Sequence, residues 1–209
     1  MTRVASPQRA LVDWSIASRP LAGQTVSGDV HLVQSFEHGV LLAVIDGMGH
    51  GDEAAAAAQI AATILTEHAG EPVIPLVKRC HQALAETRGV EMTMALVDAL
   101  EDTVTWLGVG NVEGRLLRGN GEAQPASESA LLRNGVIGYR LPALHASVLD
   151  VAPGDLVLFA TDGIHPGFIA DLNPRAPTVA IATQILNRHF KGTDDALVLV
   201  ARYIGGRHE

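Results

Sequence analysis

The stretch Val40-Leu41-Leu42-Ala43-Val44-Ile45-Asp46-Gly47-Met48-Gly49-His50-Gly51 decides how this chain is read. Six apolar residues run unbroken into Asp-Gly. A run this short could be buried helix. Its β-branched ends and the Asp-Gly that follows favour a central β-strand covered on both faces. Asp46 then stands at the rim of a buried strand. A carboxylate there is costly unless it is hydrated, hydrogen-bonded or bound to a cation. Gly47 lets the backbone turn sharply and bring a carbonyl to the same place.

The same setting recurs. Asp162 ends the apolar run Leu156–Thr161 and is followed by Gly163-Ile164. Asp194 and Asp195 open the apolar run Ala196–Ile204 after Gly192-Thr193. Asp29, in Val26-Ser27-Gly28-Asp29, is a further loop aspartate. Each taken alone reads equally well as turn chemistry, since Asp-Gly is a common turn pair. Together, at the ends of several central strands, they form an oxygen-rich rim suited to a hard divalent cation.

The rest of the chain follows in strands and three helices. Ala10–Ser18 reads as a strand, 20–28 as a loop, and His31–Phe36 pairs with Val40–Ile45 around Glu37-His38-Gly39. Asp52 is the expected N-cap of an alanine-rich helix that Gly70 ends. Pro75 is the expected start of a second helix, stopped by Gly89. Strands then follow over Glu91–Leu100, Thr103–Val109 and Gly114–Leu117. Residues 118–142 read as loops around short strands, 146–151 and 156–160 as strands, 177–190 as helix, and 196–204 as the last strand. Strands that arrive in hairpins, without alternating helices, predict an α+β fold.

Composition narrows the function. The chain has 209 residues, 47% hydrophobic and 18% charged, which suits one folded domain over 1–209 and excludes disorder. Aromatics are 4%, so the core is expected to be aliphatic. The net charge of −8 argues against nucleic acid or an anionic membrane as partner. No apolar run reaches the ~18 residues of a membrane span, and Asp13, Ser15 and Arg19 interrupt any signal-peptide core. A single cysteine, Cys80, excludes an internal disulfide and a cysteine-based metal site, so a cytoplasmic location is expected. Gly108–Gly114 (GVGNVEG) lacks the dinucleotide spacing, and there is no Walker A, HExxH or DxDx[TV] motif. Cys80 and Trp106 are expected in the core, and Arg19 on the surface.

Ser27-Gly28-Asp29, Asp46–Gly51 (DGMGHG), Phe159–Ile164 (FATDGI) and Gly192–Val200 (GTDDALVLV) come in an order that resembles the metal-dependent protein phosphatases of the type 2C class. The resemblance is strongest to their SpoIIE-like bacterial branch and covers roughly residues 10–204. It implies a four-layer α/β-β/α sandwich of two antiparallel sheets flanked by helices. It implies two Mn²⁺ or Mg²⁺ ions, with Asp46 bridging them, the Gly47 carbonyl on one, Asp162 and Asp194 on the other, and Asp29 nearby. Asp46, Asp162 and Asp194 would be the catalytic set. His50 is a candidate acid, although it does not directly follow Asp-Gly as the eukaryotic histidine does. Asp195 is a candidate for hydrogen-bonding the metal ligands.

The implied activity is hydrolysis of phosphoserine or phosphothreonine in phosphorylated STAS-domain stressosome proteins. Two alternatives stay open: a phosphatase of an anti-anti-sigma factor, and a metal-free binding module. No sensory segment precedes the matched region, so a monomer is expected, controlled through substrate supply, expression or a partner.

Overall fold

The computed structural model describes residues 10–120 and 126–206; 121–125, within the stretch expected as loop, lie outside the described residues, as do 1–9 and 207–209. The elements in chain order are β1 (Val12–Arg19), β2 (Asp29–Phe36), β3 (Gly39–Gly47), α1 (Asp52–Glu67), α2 (Val73–Ala83), β4 (Val90–Asp98), β5 (Thr103–Val109), β6 (Glu113–Leu117), β7 (Ser127–Ser129), β8 (Leu132–Arg133), β9 (Ser147–Asp150), β10 (Leu156–Ala160), α3 (Thr178–His189) and β11 (Ala196–Tyr203). One sheet has the order β1-β11-β10-β6-β7. The other has β2-β3-β4-β5-β8, with β9 pairing β5. All the pairings are antiparallel except β5 with β8.

The alternation of side chains along a strand builds the layers. On β3, Leu41, Ala43 and Ile45 face α1 and α2, while Val40, Leu42 and Val44 face the other sheet. On β11, Leu197, Leu199 and Ala201 face inward, and Ala196, Val198 and Val200 face α3. The central strands are therefore apolar on every residue because helices cover one face and a second sheet the other. The result is the four-layer α/β-β/α sandwich the sequence led us to expect. Trp106 is buried between the sheets and Cys80 under α1.

Alanine gives α1 its close seat. Ala54, Ala57, Ala58, Ala61 and Ala62 are buried on the face it turns to the sheet. The approach is tightest at Gly47, where a Cβ would fall 2.1 Å from the Ala54 carbonyl oxygen. On the other sheet, Gly163 plays the same part against β11, because a Cβ there would lie 1.9 Å from the Asp195 carbonyl oxygen.

Two helix starts differ from the sequence expectation. Gly51 (φ 79°), not Asp52, is the N-cap of α1, and Asp52 lies inside the first turn. The positive φ of Gly51 lets the chain leave the strand end and enter the helix directly. Helix α2 begins at Val73 after Pro72, with Pro75 within its first turn, where the missing N–H removes no helical bond. It ends at Ala83, well before Gly89.

Gly163→Ala should lose about 3 kcal/mol of stability, because the added methyl meets backbone that cannot give way. Gly167→Ala, with φ 82° and open space around it, should lose about 1 kcal/mol from its backbone conformation alone. Urea midpoints of the two variants check the order; equal losses would contradict the close-packing account.

Candidate active site

The β2–β3 register sets Asp29 opposite Asp46, and the β3–β4 register sets Asp46 opposite Glu91. Three adjacent strands of one sheet thus end in three carboxylates side by side. The facing sheet brings Asp162, just beyond β10, and Asp194, just before β11. The charges of Asp29, Asp162, Glu91 and Asp194 all act on Asp46, which sits among the four.

Thr161 ties the two sheets at this rim. Its hydroxyl donates to Asp29 Oδ2 at 2.8 Å, and the Leu197 amide donates to its Oγ1 at 2.9 Å. Asn111 forms a second tie. Its Nδ2 donates to Asp162 Oδ2 at 3.0 Å, and its backbone N–H donates to Glu91 Oε2 at 3.1 Å. Asp195 is buried, and both its oxygens are taken by amides of the 20–28 loop, Leu21 N and Gly28 N, each at 2.7 Å. Gly28 in turn lies against Gly47, whose N–H donates to the Gly28 carbonyl at 3.2 Å. Asp195 therefore fixes the loop that delivers Asp29. Asp194 Oδ1 accepts the Asp195 amide at 2.8 Å.

These carboxylates are held together against their charge. Burial, and then the neighbouring Asp29, Asp162, Glu91 and Asp194, push Asp46 up to about 9. Burial, followed by the charges of Asp195, Asp162 and Asp194, raises Asp29 to about 7, against the lowering effect of the Thr161 hydroxyl. Glu91 is raised by burial and by Asp162. Asp162 is raised by burial and by Asp194, with Lys191 pulling the other way. Among the described residues every buried side-chain nitrogen or oxygen has a hydrogen-bond partner. The unmet demand at the rim is therefore positive charge, not hydrogen bonding.

An all-oxygen donor set with this deficit fits Mg²⁺ or Mn²⁺. Among the described residues, no three acidic, histidine or cysteine side chains close onto one point as a finished cage. They gather along one rim instead, and Mg²⁺ commonly keeps several of its waters.

Asp29, Asp46, Asp162 and Asp194 are brought together as the sequence led us to expect, and Gly47 with them. His50 is not drawn into the cluster. It is exposed on the turn between Gly49 (φ 90°) and Gly51. Arg19 is also held aside, its guanidinium 4.9 Å from the Phe190 ring centroid and 3.4 Å from Asn187 Oδ1. Sequence reasoning missed Glu91, Asn111 and Thr161. Glu91 reads as the polar start of an alternating strand, and only the strand register sets it beside Asp46.

A family model described as Stage II sporulation protein E (SpoIIE) matches residues 37–174, a span that begins just before β3 and takes in Asp46 and Asp162. The chain belongs to the SpoIIE family. It is a PP2C-type protein serine/threonine phosphatase. A curated relative in this family setting, the phosphoserine phosphatase RsbX of Bacillus subtilis (strain 168), is 27% identical over 144 residues, covering 68% of this chain and 70% of its own. A chain solved in work on the bacterial stressosome, described as a modular system adapted to control secondary messenger signaling, superposes with a TM-score of 0.83. It is 30% identical and covers 91% of this chain and 99% of that one. RsbX solved in complex with magnesium has the same fold, with a TM-score of 0.81 at 21% identity, covering 92% and 95% of the two chains. Among the described residues, no helix is long and apolar enough to cross a membrane.

The raised carboxylates make stability depend on pH. The folded chain keeps protons on Asp46 and Asp29 at pH values where the unfolded chain has released them, so folding loses stability as pH rises from about 4 toward 9. Asp46→Asn removes the largest of these penalties. In chelator-treated protein it should raise the melting temperature at pH 8, and the gain should shrink toward pH 4. Thermal melts across that range check it; a gain independent of pH would contradict the charge account.

Proposed function

We propose that this phosphatase acts on phosphoserine or phosphothreonine of STAS-domain stressosome proteins and holds two Mn²⁺ or Mg²⁺ ions at the acidic rim. The carrying observation is the position of Asp46, flanked in register by Asp29 and Glu91 and faced by Asp162 and Asp194. No hydrophobic or hydrogen-bonding demand explains assembling so many carboxylates at one edge. The similarity to a stressosome-associated chain and to a phosphoserine phosphatase supports the substrate class.

In this reading Asp46, the Gly47 carbonyl, Asp162 and Asp194 would hold the ions, with Asp29 close by. Divalent ions bound there supply Lewis-acid charge and an acidified water. The chain supplies the positions. Thr161 fixes Asp29, and Asn111 orients Asp162 while steadying Glu91. Asp195 acts through the loop it anchors and not by touching substrate. Glu91, Asp162 and Asp194 are only partly buried, so a protruding phosphorylated side chain can reach the rim, and a monoester on a folded surface is a suitable substrate. Metal binding also resolves an apparent mismatch, because a chain of net charge −8 meets an anionic substrate through a locally cationic centre.

Asp46→Asn and Asp162→Asn should each bring Mn²⁺-dependent p-nitrophenyl phosphate hydrolysis to background while circular dichroism stays native. A panel of phosphorylated STAS-domain proteins incubated with enzyme and Mn²⁺ should show loss of phosphate. Full activity in either purified variant would contradict the metal assignment. Absence of turnover on every phosphoprotein would favour a binding module.

A further inference from the structure

The chain has two lysines, Lys78 and Lys191. Lys78 is exposed on α2, which packs on the opposite side of the sheet from sheet β1-β11-β10. Lys191 stands beside the acidic rim. Its backbone N–H donates to the Gly163 carbonyl at 2.9 Å, which fixes it beside Asp162, and it precedes Asp194 by three residues. The corner that carries it is held firmly. Phe190 closes the end of α3, pairs with Ile164, and lies under the Arg19 guanidinium.

The Lys191 side chain is exposed, and its charge partly opposes the rise of the Asp162 carboxyl without ion-pairing to it. Among the described residues it takes part in none of the ion pairs. Arg88, whose guanidinium lies near Gly49 in the loop after Asp46, differs in this respect because it is paired with Glu53. An ammonium kept near the reaction centre but unpaired is available to an incoming dianion.

We propose that Lys191 is a substrate-binding residue that contacts the phosphoryl oxygens of the phosphorylated side chain at the acidic rim. The inference rests on the acidic rim being the phosphatase centre. Lys191 donates a charge-assisted hydrogen bond to a phosphate oxygen on the solvent side, opposite the carboxylates. Its flexible stem lets it follow the substrate in and release the product. Its role is to bind and orient, and it leaves the metal ligands unchanged.

The test uses the Mn²⁺-loaded protein with inorganic phosphate as the probe. By calorimetry, Lys191→Ala should weaken phosphate binding about tenfold, and Lys191→Arg should restore most of it. Mn²⁺ affinity should be no weaker than in the wild type. On a phosphoserine peptide, KM should rise by a similar factor, about tenfold, with kcat changed far less. Phosphate should also protect Lys191, but not Lys78, from amine acetylation read by mass spectrometry. Phosphate affinity and KM unchanged in Lys191→Ala, or equal protection of the two lysines, would overturn the proposal. A wild-type protein that binds phosphate through Lys191 yet hydrolyses no phosphopeptide would sink the substrate reading above and leave this one standing.

Discussion

Like charges pressed together at the edge of two buried sheets are the constraint on which this molecule depends. Asp46 cannot leave the rim, because it ends a strand sealed by helices on one face and by a second sheet on the other. Asp29 and Glu91 cannot leave it either, because ladder register sets them on both sides. The fold therefore imposes burial first and repulsion second, and the raised Asp46 and Asp29 record both. The rest of the local architecture serves to hold that arrangement. Thr161 and Asn111 cross between the sheets, Asp195 anchors the loop ahead of Asp29, and Gly47 and Gly163 let neighbouring backbone approach.

Function follows from the same constraint. Stability sacrificed at a site is commonly recovered when a ligand binds, and the ligand that this set of carboxylates calls for is positive charge. A chain of net charge −8 would repel a phosphoprotein in the absence of such a centre. Cations held at the rim as proposed, with Lys191 beside them, would concentrate attraction where the chemistry takes place.

Much of this was legible in the sequence, and for identifiable reasons. Strands covered on both faces have no polar positions, so Val40–Ile45 and Ala196–Val200 announce a multilayered fold. An aspartate that interrupts such a run has no bland side of the sheet to occupy, so Asp46, Asp162 and Asp194 stand out. Glu91 does not, because it opens a strand whose pattern tolerates a polar residue, and its neighbour across the sheet is set by register. Asn111 lies in a glycine-rich segment that local pattern cannot distinguish from a turn. His50 looked available as an acid, but the glycines on both sides turn it to solvent. The amide partners of Asp195, more than 160 positions away, belong to a loop that no local signal connects to it.

The central claim is that the rim carboxylates hold protons that a divalent cation displaces. It is tested most directly by titrating the metal-free protein with Mn²⁺ at pH 7 in buffers of different ionisation enthalpy. The account predicts a heat that depends on the buffer and corresponds to release of about one proton or more on binding, lost in Asp46→Asn. Binding with no proton release, or release undiminished in Asp46→Asn, would contradict it.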